Sequence, residues 1–299
     1  MLKGISIIGV PMDLGAGRRG VDMGPSAIRY ANIINRMEEF GYDVVDYGDL
    51  YIPTPNKNVS ENIKLRHLKE VKAVNEELAK AVSNIIKDGR YPLVLGGDHS
   101  IGIGTIAGIA ENYSNLGVIW FDAHGDLNTP ETSPTGNIHG MPLAISLGYG
   151  HTDLVNILNF SPKLKPENIV IIGARFLDKG EKELIKQLGI KICTMHEIDK
   201  FGMAKVMEEA ILYLKNNTDG VHLSFDLDGL DPSAAPGVGT PVNGGLTYRE
   251  GHLAMEMIAE AGLLISAEFV EVNPILDNGN KTAEVAVGLI ASAFGEKLL

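Results

Sequence analysis

The chain has 299 residues, 44 % of them hydrophobic and 21 % charged, a makeup that suits one large globular α/β domain with a sizeable core. With 38 acidic against 26 basic side chains and a formal charge of −12, it has no basic cluster beyond Arg18–Arg19, which argues against a nucleic-acid surface. Its single cysteine, Cys193, excludes an intrachain disulfide, reads as a small core residue and fits a reducing cytoplasm.

In chain order, MLKGISIIGVPMD sets Lys3 before an apolar run and so mimics a signal peptide. That run spans only Ile5 to Val10, is interrupted by Ser6 and Gly9, and is followed by Pro11 and Asp13. It is too short for an h-region or a membrane span, and a first β-strand is expected instead. GPSAIRYANIINRMEEFG then reads as one helix opening near Pro25 and closing at Gly41. DVVDYGDL reads as a strand and PTPNKN as a loop. Leu65, Leu68, Val71, Val74, Leu78, Val82 and Ile85 line one stripe of a long amphipathic helix that ends at Gly89. The PLVL and LGVIWFD strands flank another helical stretch. NIVIIGA, IKICTM, GVHLSFDLD and LLISAEFVEV follow as strands, and Thr247 and Glu250 have capping-box spacing before the last of them. About eight strands alternating with helices predict a single three-layer α/β/α domain over residues 1–299, with a mainly parallel, doubly wound sheet.

Chemistry gathers where three of these strands end. LGVIWFDAHGD begins as a strand buried on both faces and continues into Asp122, His124 and Asp126 at every second position. Strand side chains alternate faces, so these three point the same way if the extended conformation persists. VHLSFDLDGLDP repeats the pattern with Asp226 and Asp228, and YPLVLGGDHS ends in Asp98 and His99. In an open parallel sheet, ligands bind beyond the carboxyl ends of the strands, so one shared site is expected if these strands lie close together.

His99, Asp122, His124, Asp126, Asp226 and Asp228 together bring four carboxylates and two imidazoles. Four anions in one cleft raise one another's pKa values unless cations neutralise them. Two divalent ions supply that charge, and the oxygen-rich ligand set leans toward manganese over zinc. Any one of these aspartates reads equally well as a helix cap or turn residue, but three matching strand tips favour a metal site. Two-metal sites commonly hold a bridging hydroxide for hydrolysis. Composition and spacing do not name the bond that is cleaved.

GGDHS, DAHGD, NIHGMPL and SFDLDGLDP, in this order, resemble the ureohydrolase family, and the stretches between them, from GPSAIR to FVEVNP, are similar to its arginase branch. The resemblance implies hydrolysis of L-arginine to L-ornithine and urea by two manganese ions, through a hydroxide that attacks the guanidinium carbon. It implies His99 and Asp126 on one ion, His124 and Asp228 on the other, and Asp122 and Asp226 as bridges. It also implies that Asp126 protonates the departing nitrogen and that His139, in GNIHG, shuttles protons to bulk water. The ordinary near-neutral pKa of histidine suits that task; without the resemblance, His139 reads as an exposed or structural loop residue. Glu271, in FVEVNP, matches the carboxylate that faces the guanidinium, though locally it reads as a rim glutamate. Thr240, in GVGTP, matches a residue lining the same pocket, though locally it reads as a turn hydroxyl.

For the other end of the substrate, the resemblance assigns Asn128, Thr135 and Asn137 to the carboxylate and Asp178 and Glu181 to the α-amino group. All are ordinary loop residues by local sequence. Thr135 stands where the family commonly has serine, and its extra methyl alters the fit. Agmatinase is the nearest alternative, but its substrate has no carboxylate for Asn128, Thr135 and Asn137 to hold. A two-metal phosphoesterase calls for Arg or Lys clamps near the metals, and only Arg175 lies near these motifs. A metal-bound regulator without activity would be signalled by lost ligands, and all six are present with His139. A homotrimer or homohexamer is implied as the assembly, with no nucleic acid or membrane as partner.

Overall fold

Apolar runs that can be covered on both faces become the strands of one sheet. The computed structural model describes residues 4–55 and 63–297. Its strands are β1 (Ile5–Val10), β2 (Val44–Asp49), β3 (Tyr91–Gly96), β4 (Leu116–Phe121), β5 (Ile169–Ala174), β6 (Lys191–Thr194), β7 (Gly220–Asp226) and β8 (Leu264–Val270). They lie in the order β2-β1-β3-β8-β7-β4-β5-β6, and each ladder is parallel. The expected doubly wound domain of eight strands is present. The last three residues of the expected PTPNKN loop, 56–58, lie outside the described residues.

Period-two alternation divides the core in two. On one face Leu95, Phe121, Val170, Leu223, Phe225 and Phe269 pack beneath α1 (Gly24–Tyr30), α2 (Ile33–Glu39), α8 (Met195–Phe201), α9 (Met203–Lys215), α10 (Tyr248–Ala261) and α11 (Lys281–Ala293). On the other face Val94, Val118, Trp120 and Ile171 pack beneath α3 (Leu68–Lys87), α4 (Gly102–Ala110), α5 (Pro142–Ser146), α6 (Thr152–Val155) and α7 (Lys179–Leu188). On β7 this alternation puts Leu223 and Phe225 in the first core and turns His222, Ser224 and Asp226 to the second face. Cys193 is a buried core residue, as expected.

Three local expectations are resolved differently or in more detail. The helix expected from Pro25 to Gly41 is two helices, because Asn32 adopts a left-handed conformation (φ 69°) between α1 and α2. The apolar periodicity continues on both sides of that break, and asparagine is among the few residues that enter this region readily. Leu65 is buried but lies before α3 begins. IKICTM ends as a strand at Thr194, whose side chain forms a capping box with Glu197 and starts α8 at Met195. The expected Thr247–Glu250 box does cap α10.

Phe225 is sandwiched between Phe121 and Phe269, with ring centroids 5.1 and 5.5 Å apart, and all three are fully buried directly beneath the strand tips. Phe225→Ala therefore opens a cavity there and is expected to lower unfolding stability by about 3–5 kcal/mol. Urea unfolding at constant metal concentration measures this, and a loss below about 1 kcal/mol would contradict the packing account.

Candidate active site

The loops after β3, β8, β7 and β4 converge over the centre of the sheet. β3 and β4 are not neighbours; β8 and β7 lie between them. The extended conformation expected through DAHGD stops at Phe121, so strand alternation does not bring Asp122, His124 and Asp126 together. Backbone-to-carboxylate bonds do. Asp122 Oδ1 accepts the His124 backbone N–H at 2.7 Å, and Asp126 is left-handed (φ 52°), which returns its carboxylate to the site. After β7, Asp226 Oδ1 accepts the Asp228 N–H at 2.8 Å, starting a 3₁₀ turn over Leu227–Gly229. Asp228 Oδ1 accepts the Ala123 N–H at 3.1 Å, tying this turn to the β4 loop. Asp98 accepts from Gly15 and Ser100 backbone N–H groups, so it holds the turn that presents His99 and faces no ligand itself. Burial beside Glu271 pushes its carboxyl up to about 6.

Two groups of donors result, and Asp122 belongs to both. His99 Nδ1 lies 3.3 Å from Asp122 Oδ2, 3.0 Å from Asp126 Oδ2 and 3.2 Å from Asp226 Oδ2. His124 Nδ1 lies 3.3 Å from Asp122 Oδ1 and 3.1 Å from Asp228 Oδ2. All six predicted ligands are thus brought together, with Asp226 on the His99 side. Although 3.0 Å apart, buried His99 Nδ1 and Asp126 Oδ2 make no aligned hydrogen bond with each other or with any other group among the described residues.

The electrostatics of this cluster call for cations. Like charges within 4.8 Å repel by roughly 3.5 kcal/mol at an effective dielectric near 20. Burial and the neighbouring Asp122 push Asp126 up to about 7, and burial with Asp228 and Asp122 pushes Asp226 well above the usual carboxylate range. Asp228 is raised by burial and Asp122 as well. Burial opposes charge on Asp122 too, but His124 and His99 outweigh it and hold Asp122 well below that range. The histidines shift the other way. Burial disfavours their charge, yet the surrounding carboxylates raise His99 well above its ordinary value and His124 to about 12. In the protein alone, protons serve as the counter-ions. The six side chains therefore fit divalent cations in chemistry, in orphaned donor atoms and in charge.

Above the cluster opens a pocket of roughly 370 Å³, lined by Asn128, Thr135, Asn137, His139, Asp178, Glu181 and Thr240 as well as the cluster itself. Glu271 lies beneath it and is buried, not on the rim as its local sequence reads. Its Oε1 accepts the His99 backbone N–H at 3.0 Å, and its Oε2 has no hydrogen-bond partner among the described residues. His139 Nδ1 is 3.1 Å from Glu271 Oε1. Burial lowers the His139 pKa, but Glu271, Asp98 and Asp126 outweigh this and push it up to about 9, in place of the near-neutral value expected. Thr240 donates to Asp228 Oδ2 at 3.0 Å.

At the mouth, Asn128 Nδ2 donates to Asp178 at 2.9 Å, and its Oδ1 accepts from Thr132 at 3.0 Å. Asn137 donates its backbone N–H to Thr135 Oγ1 at 3.2 Å, while its buried Oδ1 has no partner. Asp178 and Glu181 form the capping box of α7, and Glu181 also accepts the Leu127 N–H, so both have a structural role besides lining the pocket. Arg175 is committed to the backbone carbonyls of Gly173, Asp228, Gly229, Leu230 and Val242.

Several contributors escape a reading of motifs. Trp120 stacks on His99 at 4.1 Å and donates to Asp122 Oδ2 at 3.1 Å. Ser224 Oγ meets His99 Nε2 at 2.8 Å. Ser224 stands two residues before Asp226 on β7, and Trp120 two residues before Asp122, just past the end of β4, so a spacing of two was the available signal. Ser133 and Phe176 line the pocket from loops, and no local pattern marks them.

The model of the Arginase family matches residues 3–295 of this chain. The arginase of Bacillus caldovelox is 66 % identical over the whole of both chains. Its solved structure gives a TM-score of 0.97, covering 99 % of this chain and 100 % of that one. The crystal structure of Bacillus cereus arginase is 67 % identical, with a TM-score of 0.95 and coverage of 99 % and 100 %. That of Entamoeba histolytica arginase in complex with L-ornithine is 33 % identical, with a TM-score of 0.90 and 99 % of each chain covered.

Cations entering this cluster must displace its protons. Asp126, with a pKa of about 7, is protonated below that pH, and the raised His99 and His124 hold protons above it. Manganese affinity is therefore expected to fall as pH drops from about 8 to about 5, with at least one proton released per chain. Calorimetry in buffers of different ionisation enthalpy counts these protons; binding without proton release would contradict the electrostatic account.

Proposed function

The chain belongs to the arginase family, and on that premise we propose that it hydrolyses L-arginine to L-ornithine and urea with two bound manganese ions. The observation that carries this reading is the pair of donor groups sharing Asp122 at the base of a pocket whose mouth is polar. His99 and Asp126 would hold one ion and His124 and Asp228 the other, with Asp122 and Asp226 shared between them. The two oxygens of Asp122, facing different histidines, support its bridging role; Asp226, seen beside His99, supports its own less directly. When bound, the ions offset the carboxylate charge and supply the Lewis acidity that readies a water for attack on the guanidinium carbon.

The chain's own groups do the rest. Glu271 presents a partnerless oxygen, and a planar guanidinium offers paired N–H donors to such a carboxylate. A cationic guanidinium beside Glu271 also lowers the His139 pKa from about 9 toward neutrality, where its ring exchanges protons with water. Asp126, raised to about 7, is suited to hold the proton that the departing nitrogen takes. At the mouth, Asn128, Thr135 and Asn137 face the substrate carboxylate and Asp178 and Glu181 its α-amino group, with Thr240 on the pocket wall. The Entamoeba histolytica relative solved with L-ornithine supports a product of this shape. Arg175, held by five carbonyls, is not free to clamp a phosphate, which disfavours a phosphoesterase. The reading includes a cytoplasmic setting, supported by the single buried cysteine, and a homotrimer or homohexamer, supported by the family resemblance.

Urea release from L-arginine and agmatine, after manganese loading, tests the substrate. A site that hydrogen-bonds the carboxylate is expected to favour L-arginine in kcat/KM by at least about 100-fold, or about 2.7 kcal/mol. Asn137→Ala should erode that ratio by weakening arginine alone. Equal efficiency on the two substrates would sink the arginine assignment and leave a two-metal hydrolase. For proton traffic, His139→Ala is expected to lower kcat by roughly 100- to 10,000-fold with KM little changed. Wild-type kcat in that variant would reduce His139 to a structural residue.

A further inference from the structure

Beneath the site, on the face of the sheet opposite the phenylalanine stack, lies a group of polar side chains that the reaction does not use. Glu268, Ser266, His222 and Ser224 are all fully buried in the middle of the sheet. They come from adjacent strands in register, with His222 opposite Ser266 and Ser224 opposite Glu268. Ser224 Oγ donates to Glu268 Oε1 at 2.8 Å, and His222 Nδ1 meets Ser266 Oγ at 2.9 Å. His222 Nε2 lies 3.5 Å from the same Glu268 oxygen. Burying a carboxylate carries a large desolvation penalty, and apolar residues of similar volume commonly stabilise such a position at least as well. This chain keeps the charge one hydroxyl behind His99, with Ser224 between the two side chains.

We propose that Glu268 is a positioning residue for the metal centre, acting through Ser224 to set the tautomer and orientation of His99. Hydrogen-bond direction fixes the tautomer. An ionised carboxylate can only accept, so the single Ser224 hydroxyl proton is directed at Glu268. Toward His99 Nε2, 2.8 Å away, Ser224 can then only accept, so Nε2 carries the ring proton. In the neutral ring this leaves the lone pair on Nδ1, the atom that faces Asp122, Asp126 and Asp226. Trp120, stacked on the ring at 4.1 Å and nearly parallel to it, blocks rotation out of this plane. His222 stands beside the buried carboxylate, close enough for an ion pair with Oε1. Among the described residues, no such chain stands behind His124. Its ring is partly exposed and meets the edge of the Phe176 ring at 5.8 Å. The device therefore acts on one of the two cation positions.

This assignment rests on the two-manganese reading, so the test begins with manganese binding to the unmutated full-length chain, measured by calorimetry against a competing chelator without substrate. Two ions are expected. Glu268→Gln offers an amide that can donate as well as accept, which removes the fixed direction. It is expected to weaken one ion by about 10- to 100-fold and leave the other at wild-type affinity. A residue that merely supported the fold would weaken both ions together or neither. If Glu268→Gln does not fold, Ser224→Ala decides, because it cuts the same link while keeping the carboxylate; the same one-ion loss is expected. Wild-type affinity for both ions in the folded variant, or equal weakening of both, would overturn the assignment. Fewer than two ions on the unmutated chain would overturn the two-metal reading first, and this assignment with it.

Discussion

Asp122 and the three carboxylates and two imidazoles packed around it cannot coexist in their ordinary charge states. Asp126, Asp226 and Asp228 are raised while Asp122 is depressed, and the surrounding carboxylates raise both histidines. Such opposed shifts among touching groups mark a site whose charge is completed from outside. The surrounding architecture serves to hold this cluster against its own repulsion. Asx turns at Asp122 and Asp226, the bond from Ala123 N–H to Asp228, and the Arg175 guanidinium binding three successive carbonyls after β7 all fix loops that bare electrostatics would push apart.

The parallel sheet makes this possible by separating tasks between its two faces. Phe121, Phe225 and Phe269 fill one face with a dry stack, so the central strands are anchored without polar groups. The alternate residues Trp120, Ser224 and Glu268 are then free to support the ligands from the other face. The same backbone that is stabilised by burial on one side thus orients chemistry on the other. The site is fed by four strand ends at the centre of the sheet, each from a strand paired on both sides.

The sheet was legible because strands covered on both faces leave unbroken apolar runs, as in VIWF and LVL, and each of the eight expected strands formed. The six clustered side chains were legible for a different reason: acids and histidines recur where those runs end. How they converge was not. Asp122, His124 and Asp126 come together through a side-chain-to-backbone bond and a left-handed Asp126, neither of which follows from period two. The break at Asn32 was hidden because the apolar period runs through it. Glu271 was visible only by resemblance, since a lone glutamate after β8 gives no local sign that Gly97 accepts its N–H and draws it under the site. The family resemblance supplied roles that residue patterns left open, and the match of the Arginase family model over residues 3–295 bears out that family assignment.

Anomalous diffraction at the manganese edge, from crystals grown with manganese, tests the central claim most directly. The account predicts two peaks roughly 3.5–4 Å apart, as in other two-metal sites, one beside His99 Nδ1 and one beside His124 Nδ1, with the Asp122 carboxylate between them. A single peak, or peaks that leave Asp122 unligated, would contradict it.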